Sequence, residues 1–593
     1  MQRKLWITLV AIGFTSLPAS MTVAETSDPR DVSNGHIIPD EGYCDQPYVV
    51  VLPSGKWLCV LTTGAGKEGQ TGQHVVSTTS TDHGRTWTKP IDIEPADGPE
   101  ASWVTPLLVP SGRVYAFYDY NGDQIKELRG KPARADMLGW YCYRYTDDEG
   151  KSWSAERHRL PLRLTDCDRA NDWQGRVQIF WGISKPITVG DSAIFAFTKL
   201  GKYILDNGEG WFYRSDNILS ERDPAKLRWS LLPEGERGVR DDKFGSVQEE
   251  HNIVSLGGDD LYCVYRTTTG NPCQSYSRDG GRTWSTPEVA TYAPGGRPIK
   301  HPRACPKLWQ TSNGKYLLWY HNHGGHDFKG RNPAWIIGGV VRDGLMYWSQ
   351  PEILLYDEDL EMRMSYPDLI EQNGRYWITE TQKTVARVHE VDRTLLEGLW
   401  RQVEAETASP APVRDAAIIS LAGPSLHLNE HRLPPLPRME PGRGFSVEIR
   451  VRTSGNNASG VLVESISDSR GWKLVAETDG HLRIELHDGP HHATWSCDRG
   501  RLSTAGEHHI IVMIDGGPKT ITFVVDGVVA DGGTERETGW GRFDSRIVDV
   551  GGNGTLNCPR TSGLQLVDLR VHARPLRNFE AVENLRATTP AQR

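Results

Sequence analysis

The sequence predicts an all-β chain in two parts, a ring of small sheets followed by a β-sandwich. Three observations predict it. Gly (61) and Trp (20) are abundant while hydrophobic residues make up only 37%, a profile that suits many turns better than helices. An eight-residue string recurs as "STDHGRTW" (80–87), "TDDEGKSW" (146–153) and "SRDGGRTW" (277–284). Late in the chain the pattern changes to alternating runs such as "FSVEIRVRT", "HLRIELHD" and "TITFVVDGVV", the period of strands with one buried face. At 593 residues the chain exceeds the size of a single core, so at least two domains are expected.

Taken in order, the chain opens on a secretory pattern. Arg3 and Lys4 precede the apolar run "LWITLVAIGFTSL", and Ala24 follows "SMTV" as a small-residue cleavage point. This predicts a signal peptide over 1–24 and export to the periplasm or beyond; an uncleaved anchor is the alternative. The run is short for a bilayer span and no later segment is long enough, so no stable membrane span is expected. A net charge of -9 lacks the basic footprint of a nucleic-acid binder. The nine cysteines form no close CxxC pair, which argues against a cysteine zinc site. Export permits disulfides, and Cys497 with Cys558 is the expected pair.

Each octet reads as a hairpin turn. Its Asp accepts turn amides, its Gly takes a positive φ, and its Trp wedges between neighbouring sheets. Strand-like runs precede each copy. Degenerate copies fill the gaps: Asp343 and Trp348 keep the separation of Asp82 and Trp87, and Trp229 and Trp400 offer two further closing tryptophans. Trp87, Trp153, Trp229, Trp284, Trp348 and Trp400 then set the rhythm of a radial repeat with one four-stranded sheet per unit. The expectation is a six-bladed β-propeller over 40–405. A Pro/Ala-containing linker over 406–420 follows, and then a β-sandwich (jelly roll) over 421–585.

The octets are Asp boxes, and through them the chain resembles the sialidase (neuraminidase) superfamily of six-bladed propellers over roughly residues 40 to 400. The strand pair "GEHHIIVMIDG…ITFVVDGVV" resembles the laminin-G/concanavalin-like modules attached to secreted carbohydrate enzymes. Such a module either binds glycan or packs on the propeller; both stay open. The resemblance implies a funnel site assembled from distant segments. In "SVQEEHNIVSLGGDDLYCVYR", Glu250 and Arg266 stand where the family carries its catalytic Glu and a carboxylate-binding Arg. Glu249 is the neighbouring alternative, facing the opposite side of a regular strand. Arg331 in "HNHGGHDFKGRNPAW" matches a further Arg. Tyr366 in "MSYPDLIEQNGRYWITETQ" matches the nucleophile, a neutral phenol suited to a sugar whose carboxylate would repel an anion. One departure stands out. The family's opening Arg is replaced by Asp45 in "CDQPYVVV", although Pro47 is kept. The loop that usually bears the acid/base Asp offers only Glu68 and His74. His321, His323 and His326 sit together without a carboxylate cluster, so no metal and no cofactor is expected.

Three functions compete. The first is a sialidase-like exo-glycoside hydrolase acting on a glycan, with Tyr366, Glu250 and Asp45 (or Glu68) catalytic and Arg266 and Arg331 binding an acidic sugar. The second is a propeller lyase on uronic-acid polysaccharides, using Tyr or a His of "EEHN", "KHPR" or "HNHGGH" as base. The third is a non-catalytic glycan-binding protein, in which the funnel carboxylates and tyrosine fail to converge. An Asp45 carboxylate facing a sialate would weaken its binding, and on that ground poor turnover of ordinary sialosides is expected.

Overall fold

The computed structural model describes residues 27–404, 412–414, 416–427, 430–455 and 458–588. The expected signal peptide and much of the expected linker lie outside them. The chain is all-β: among the described residues the only α-helices are Asp166–Ala170, Arg393–Arg401 and Asn578–Thr588. None of these is long and apolar enough to cross a membrane.

The first part is a succession of antiparallel sheets. Strands Tyr43–Val51, Trp57–Gly64, His74–Ser80 and Ile91–Asp92 form one, in sequence order. Gln248–Gly257 leads another, Lys307–Gln310 a third, and Ser365–Gln372 the last. The stretch between Ala101 and Leu232 departs from the expected one sheet per unit. There a nine-stranded sheet forms, because Gln178–Trp181 pairs with Leu138–Gly139 on one side and with Thr198–Lys199 on the other. The last sheet is completed by the N-terminal strand His36–Ile38, antiparallel to Ala386–Val391. The two ends of this part are therefore joined by backbone hydrogen bonds within one sheet.

The leading strands pack on one another. Tyr43–Val51 touches both Ala101–Leu108 and Ser365–Gln372, and Lys307–Gln310 touches both Gln248–Gly257 and Ser365–Gln372. Together they surround a cavity of about 370 Å³, to which Val50, Leu107, Ile187, Ile253, Leu308 and Leu369 each contribute from a different segment.

The octets do the structural work their residues imply. Asp82 accepts from the Thr86 amide (2.9 Å) and hydroxyl (2.6 Å), and Ser80 Oγ accepts from the Gly84 amide (2.9 Å). Asp148 and Asp279 repeat the pattern on Ser152 and Thr283. Gly84 and Gly150 have φ of 78° and 81°, and an added Cβ would meet Val388 or Leu58 of the adjoining sheet at 2.6 and 2.5 Å. These turns therefore seal each sheet against the one before it. The degenerate copies differ. Asp343 and Trp348 flank a plain hairpin, Trp229 heads a strand, and Trp400 lies on the helix Arg393–Arg401.

The second part stacks a seven-stranded sheet on the four strands between Gly460 and Ser496, with Phe445, Trp472, Ile484 and Phe523 between them. Its first strand, Ala417–Ala422, pairs with Leu564–His572, so the sheet begins inside the stretch expected as linker. Cys497 and Cys558 are both buried and both free. The expected disulfide is absent; the Cys497 sulfur instead accepts the Leu482 amide at 3.1 Å.

The turn hydrogen bonds pull the Asp82 carboxyl down to about 2, its bonds to Thr86 being the chief cause. A folded-state pKa below the unfolded one stabilises above the unfolded value, and that contribution is lost as pH falls through the folded one. Asp82→Ala is expected to melt below wild type at pH 7, with the gap closing between pH 4 and pH 2 in thermal unfolding.

Candidate active site

Four leading strands share a defect at the same height. Pairing slips between Asp45 and Tyr48, Ser102 and Thr105, Glu249 and Asn252, and Ser365 and Asp368. At each slip a non-glycine residue adopts a positive φ: Gln46 (51°), Trp103 (61°), Glu250 (57°) and Tyr366 (45°). A β-bulge re-aims one side chain out of the strand's alternation. Trp103, Glu250 and Tyr366 consequently line one cavity of about 280 Å³, with Glu68, Arg134, Trp181, Phe328, Arg331 and Lys383 among its other walls. Gln46 turns instead toward the Gly182 carbonyl (2.8 Å).

Tyr366 donates its hydroxyl to Glu250 Oε1 at 2.7 Å, and Arg266 Nη1 reaches the same oxygen at 2.7 Å. Glu250 Oε2 is buried with no partner. The bulge changes the expectation for Glu249. A regular strand would turn it away, but here it grips Arg266 at 2.8 Å and Arg303 at 2.9 Å. Arg266 is thus held by two glutamates. Burial, and next the Glu250 charge, push the Tyr366 phenol well above its ordinary range, so it rests protonated.

Arg331 differs from Arg134, Arg266 and Lys383 of the same cavity. Its Nη1 donates to Ser365 Oγ (2.7 Å) and its Nη2 to the Arg303 carbonyl (3.0 Å), while Nε is buried without a partner. Among the described residues no carboxylate pairs with it. Burial, aided by the neighbouring Arg266, lowers its pKa. A buried guanidinium without a counter-ion is costly in isolation.

Asp45 does not line the cavity. It is buried behind Lys383, whose ammonium contacts Asp45 at 2.6 Å and Glu68 at 3.4 Å and lies 4.3 Å from the Tyr366 ring. The repulsion expected from Asp45 is therefore cancelled. A carboxylate pair at 4 Å costs about 4 kcal/mol at an effective dielectric near 20, and an interposed ammonium returns a term of the same order. Burial raises Asp45 to about 6 despite Lys383. Burial also opposes ionisation of Glu68, but Lys383 and Arg134 outweigh it and hold Glu68 at about 2. Of the two acids expected for one role, Glu68 is the one that reaches the cavity. Lys383 carries no local sequence signal, because only the contact between the first and last sheets brings it beside Asp45, through its carbonyl's bond from the Cys44 amide at 3.0 Å.

Most of the candidate histidines are engaged elsewhere, although His321, bonded to the Pro333 carbonyl through Nδ1, keeps a buried Nε2 without a partner, as do both nitrogens of His74. His251 bonds Thr198 and the Val239 carbonyl, His301 the Ala304 carbonyl, His323 the Gly330 carbonyl and His326 the Thr268 carbonyl. Burial lowers His251 and His301 to about 3. His74 is buried beside Glu41 and Asp92, on the strand that follows the Glu68 loop. No cluster of three metal-ligating side chains occurs among the described residues.

A family profile described as a BNR repeat-like domain matches residues 217–378. The chain carries a BNR repeat-like domain. That agrees with the resemblance to the Asp-box propellers of the sialidase superfamily drawn from the octets. No curated protein gives a significant sequence match. Among solved structures, a Trypanosoma rangeli sialidase complexed with 2,3-difluorosialic acid is similar at 11% identity, covering 95% of this chain and 97% of its own, with a TM-score of 0.44. A Dyadobacter fermentans protein of unknown function gives 16%, 60% and 98%, with a TM-score of 0.44. The Streptococcus pneumoniae sialidase NanB gives 13%, 60% and 68%, with a TM-score of 0.41. Likenesses this distant add nothing to the fold already described.

Lys383→Met strands the Asp45 carboxylate without its ammonium. We expect a loss of about 3 kcal/mol in denaturant unfolding, and recovery of most of it in Lys383→Met/Asp45→Asn.

Proposed function

We propose that this chain is an exported glycoside hydrolase that releases a terminal acidic sugar from glycans, on a six-bladed propeller with a jelly-roll module. The observation that carries the reading is the tyrosine–glutamate pair at 2.7 Å in the same cavity as an arginine that has no carboxylate of its own. The pair supplies a nucleophile that is neutral until it reacts. The lone arginine supplies a place for the sugar's carboxylate, with Lys383 close by. Tyr366 Oη attacks the anomeric carbon as its proton passes to Glu250, and the glycosidic bond breaks to leave a glycosyl-tyrosine. Water then attacks the anomeric carbon, and Tyr366 recovers its proton from Glu250. Glu68 takes over the acid/base role first given to Asp45, because it alone of the two faces the cavity. An incoming sugar carboxylate is a like charge, which raises the Glu68 pKa, so that Glu68 takes up a proton from solvent and then delivers it to the leaving oxygen. It later accepts the proton of the attacking water.

Convergence of Tyr366, Glu250 and Arg331 weighs against a purely adhesive role. The engagement of most of the histidines weighs against a histidine-based lyase.

The test is a panel of fluorogenic sialosides, uronosides and neutral glycosides. An acidic glycoside is expected to turn over, with Tyr366→Phe at least about a thousandfold slower. Arg331→Ala should raise KM for the acidic substrate by about tenfold or more and leave neutral ones unchanged. Undiminished turnover in Tyr366→Phe would remove the mechanism. Glu68→Gln should slow alkyl glycosides about a hundredfold and activated aryl glycosides far less, since only the former need protonation on departure.

A further inference from the structure

The loop that brings Arg331 and Phe328 to the cavity is held from outside by the second domain. Strand Tyr316–Tyr320 ends at His321, and the chain returns to a strand only at Ala334. Between them it runs as an irregular, glycine-rich excursion. Phe328 lies beneath three guanidinium groups, 4.5 Å from Arg303, 5.7 Å from Arg331 and 5.8 Å from Arg266. That inner face is the wall of the site.

The outer face touches the sandwich at three points. Trp540 donates its indole N–H to the Asn322 carbonyl at 2.9 Å, and the Gly324 amide donates to the Glu537 carbonyl at 2.9 Å. Arg542 Nη2 donates to the Asn332 carbonyl at 2.5 Å. The three contacts fall at the start of the excursion and at the residue directly after Arg331. The Trp540 ring is buried 5.9 Å from Trp335, in the same apolar cluster as Tyr320, so it also covers the strands from which the loop departs. A neighbouring tie runs from Lys300 to the Arg536 carbonyl at 2.6 Å. Asn332 is fixed in turn by its own amide, which reaches the Asp357 and Asp359 carbonyls at 2.8 and 2.9 Å.

From this geometry we infer that Trp540 and Arg542 are positioning residues, through which the sandwich domain sets the Arg331–Phe328 wall and hence the affinity of the site for an anionic sugar. The inference rests on the anion-binding reading of Arg331 for its functional half. Its structural half stands on the contacts alone. Within the first part the middle of the loop is tied at His323–Gly330 (2.9 Å), His326–Thr268 (2.8 Å) and Arg303–Asp327 (3.0 Å), and the sandwich contacts add restraint toward its two ends. A guanidinium displaced by about 1 Å loses most of its directional bond to a carboxylate. The sandwich therefore serves this site without touching the ligand.

The experiment uses the full chain with Trp540→Phe, which keeps an aromatic ring but removes the indole donor, and Arg542→Gln, which keeps a polar side chain but shortens its reach. Hydrogen–deuterium exchange is followed across residues 321–333, and affinities for N-acetylneuraminate, D-glucuronate and neutral D-galactose are measured by calorimetry. Exchange in 321–333 is expected to rise while peptides from the other sheets are unchanged. Affinity for the acid that binds should fall about tenfold, with the neutral sugar unaffected. Unchanged exchange in both variants overturns the positioning role. Equal losses for acidic and neutral sugars, or faster exchange throughout the propeller, overturn it as well by showing only a general loosening. If the wild type binds neither acid, the anion-binding reading of Arg331 falls, and the exchange measurement still decides whether the sandwich holds the loop.

Discussion

The site depends on a repeated break in strand pairing. In each of four leading strands one residue is held at a φ between 45° and 61°, a conformation that costs a non-glycine residue about 1–3 kcal/mol. The strain persists because each strand is locked in a ladder and is buried around the irregular residue. Without the break, Glu249 and Glu250 would alternate across the strand and only one of them would meet Arg266. With it, both reach Arg266, and Tyr366 swings from a distant strand onto Glu250. The same device delivers Trp103, whose ring meets Tyr366 edge-on at 6.0 Å. The geometry of this cavity is a property of backbone irregularity repeated in several leading strands.

Charge pairing then decides what the cavity can hold. Burying several guanidinium groups together is unfavourable unless each has a counter-ion. Arg134 has Asp136 and Glu68, Arg266 has both glutamates, Arg303 has Glu249, and Lys383 has Asp45 and Glu68. Arg331 is left with a hydroxyl and a carbonyl. The imbalance is local, on a chain whose overall charge is negative, and it marks a place where an anion from outside would pair with Arg331. The acidic residues around the site are thus compatible with an acidic ligand because nearly all of them are already answered.

How much of this was legible follows from what is local in the sequence. The Asp boxes could be read because their hydrogen bonds close within eight residues, as Asp82 and Thr86 do. The strand-rich architecture could be read from alternation, and Glu250, Arg266, Arg331 and Tyr366 from their resemblance to known segments. Features set by contacts between distant sheets stayed hidden. Lys383 and Asp45 are far apart in the chain and meet only because the first and last sheets adjoin. The bulges that bring Glu249 to Arg266 were also invisible, since "QEEHN" and "MSYPD" share no glycine to mark a positive φ. The Cys497–Cys558 pairing failed because compartment and rough position say nothing about distance, and two buried thiols find other neighbours.

The proposed chemistry has a built-in timing. At rest, proton transfer from Tyr366 to Glu250 is uphill, because burial and the adjacent glutamate both disfavour the phenolate while Arg266 stabilises the carboxylate. A phenolate formed early would also repel the substrate's carboxylate. As the glycosidic bond lengthens, positive charge grows on the sugar ring beside the phenol. That charge lowers the cost of the phenolate at the moment the new bond forms. An interaction that is unfavourable in the resting complex and favourable in the transition state accelerates the reaction, whereas one equally strong in both would only tighten binding. A glutamate is well matched to this duty. It accepts the proton only when the developing charge makes transfer favourable, and the Arg266 ion pair returns it to the carboxylate once the sugar has left.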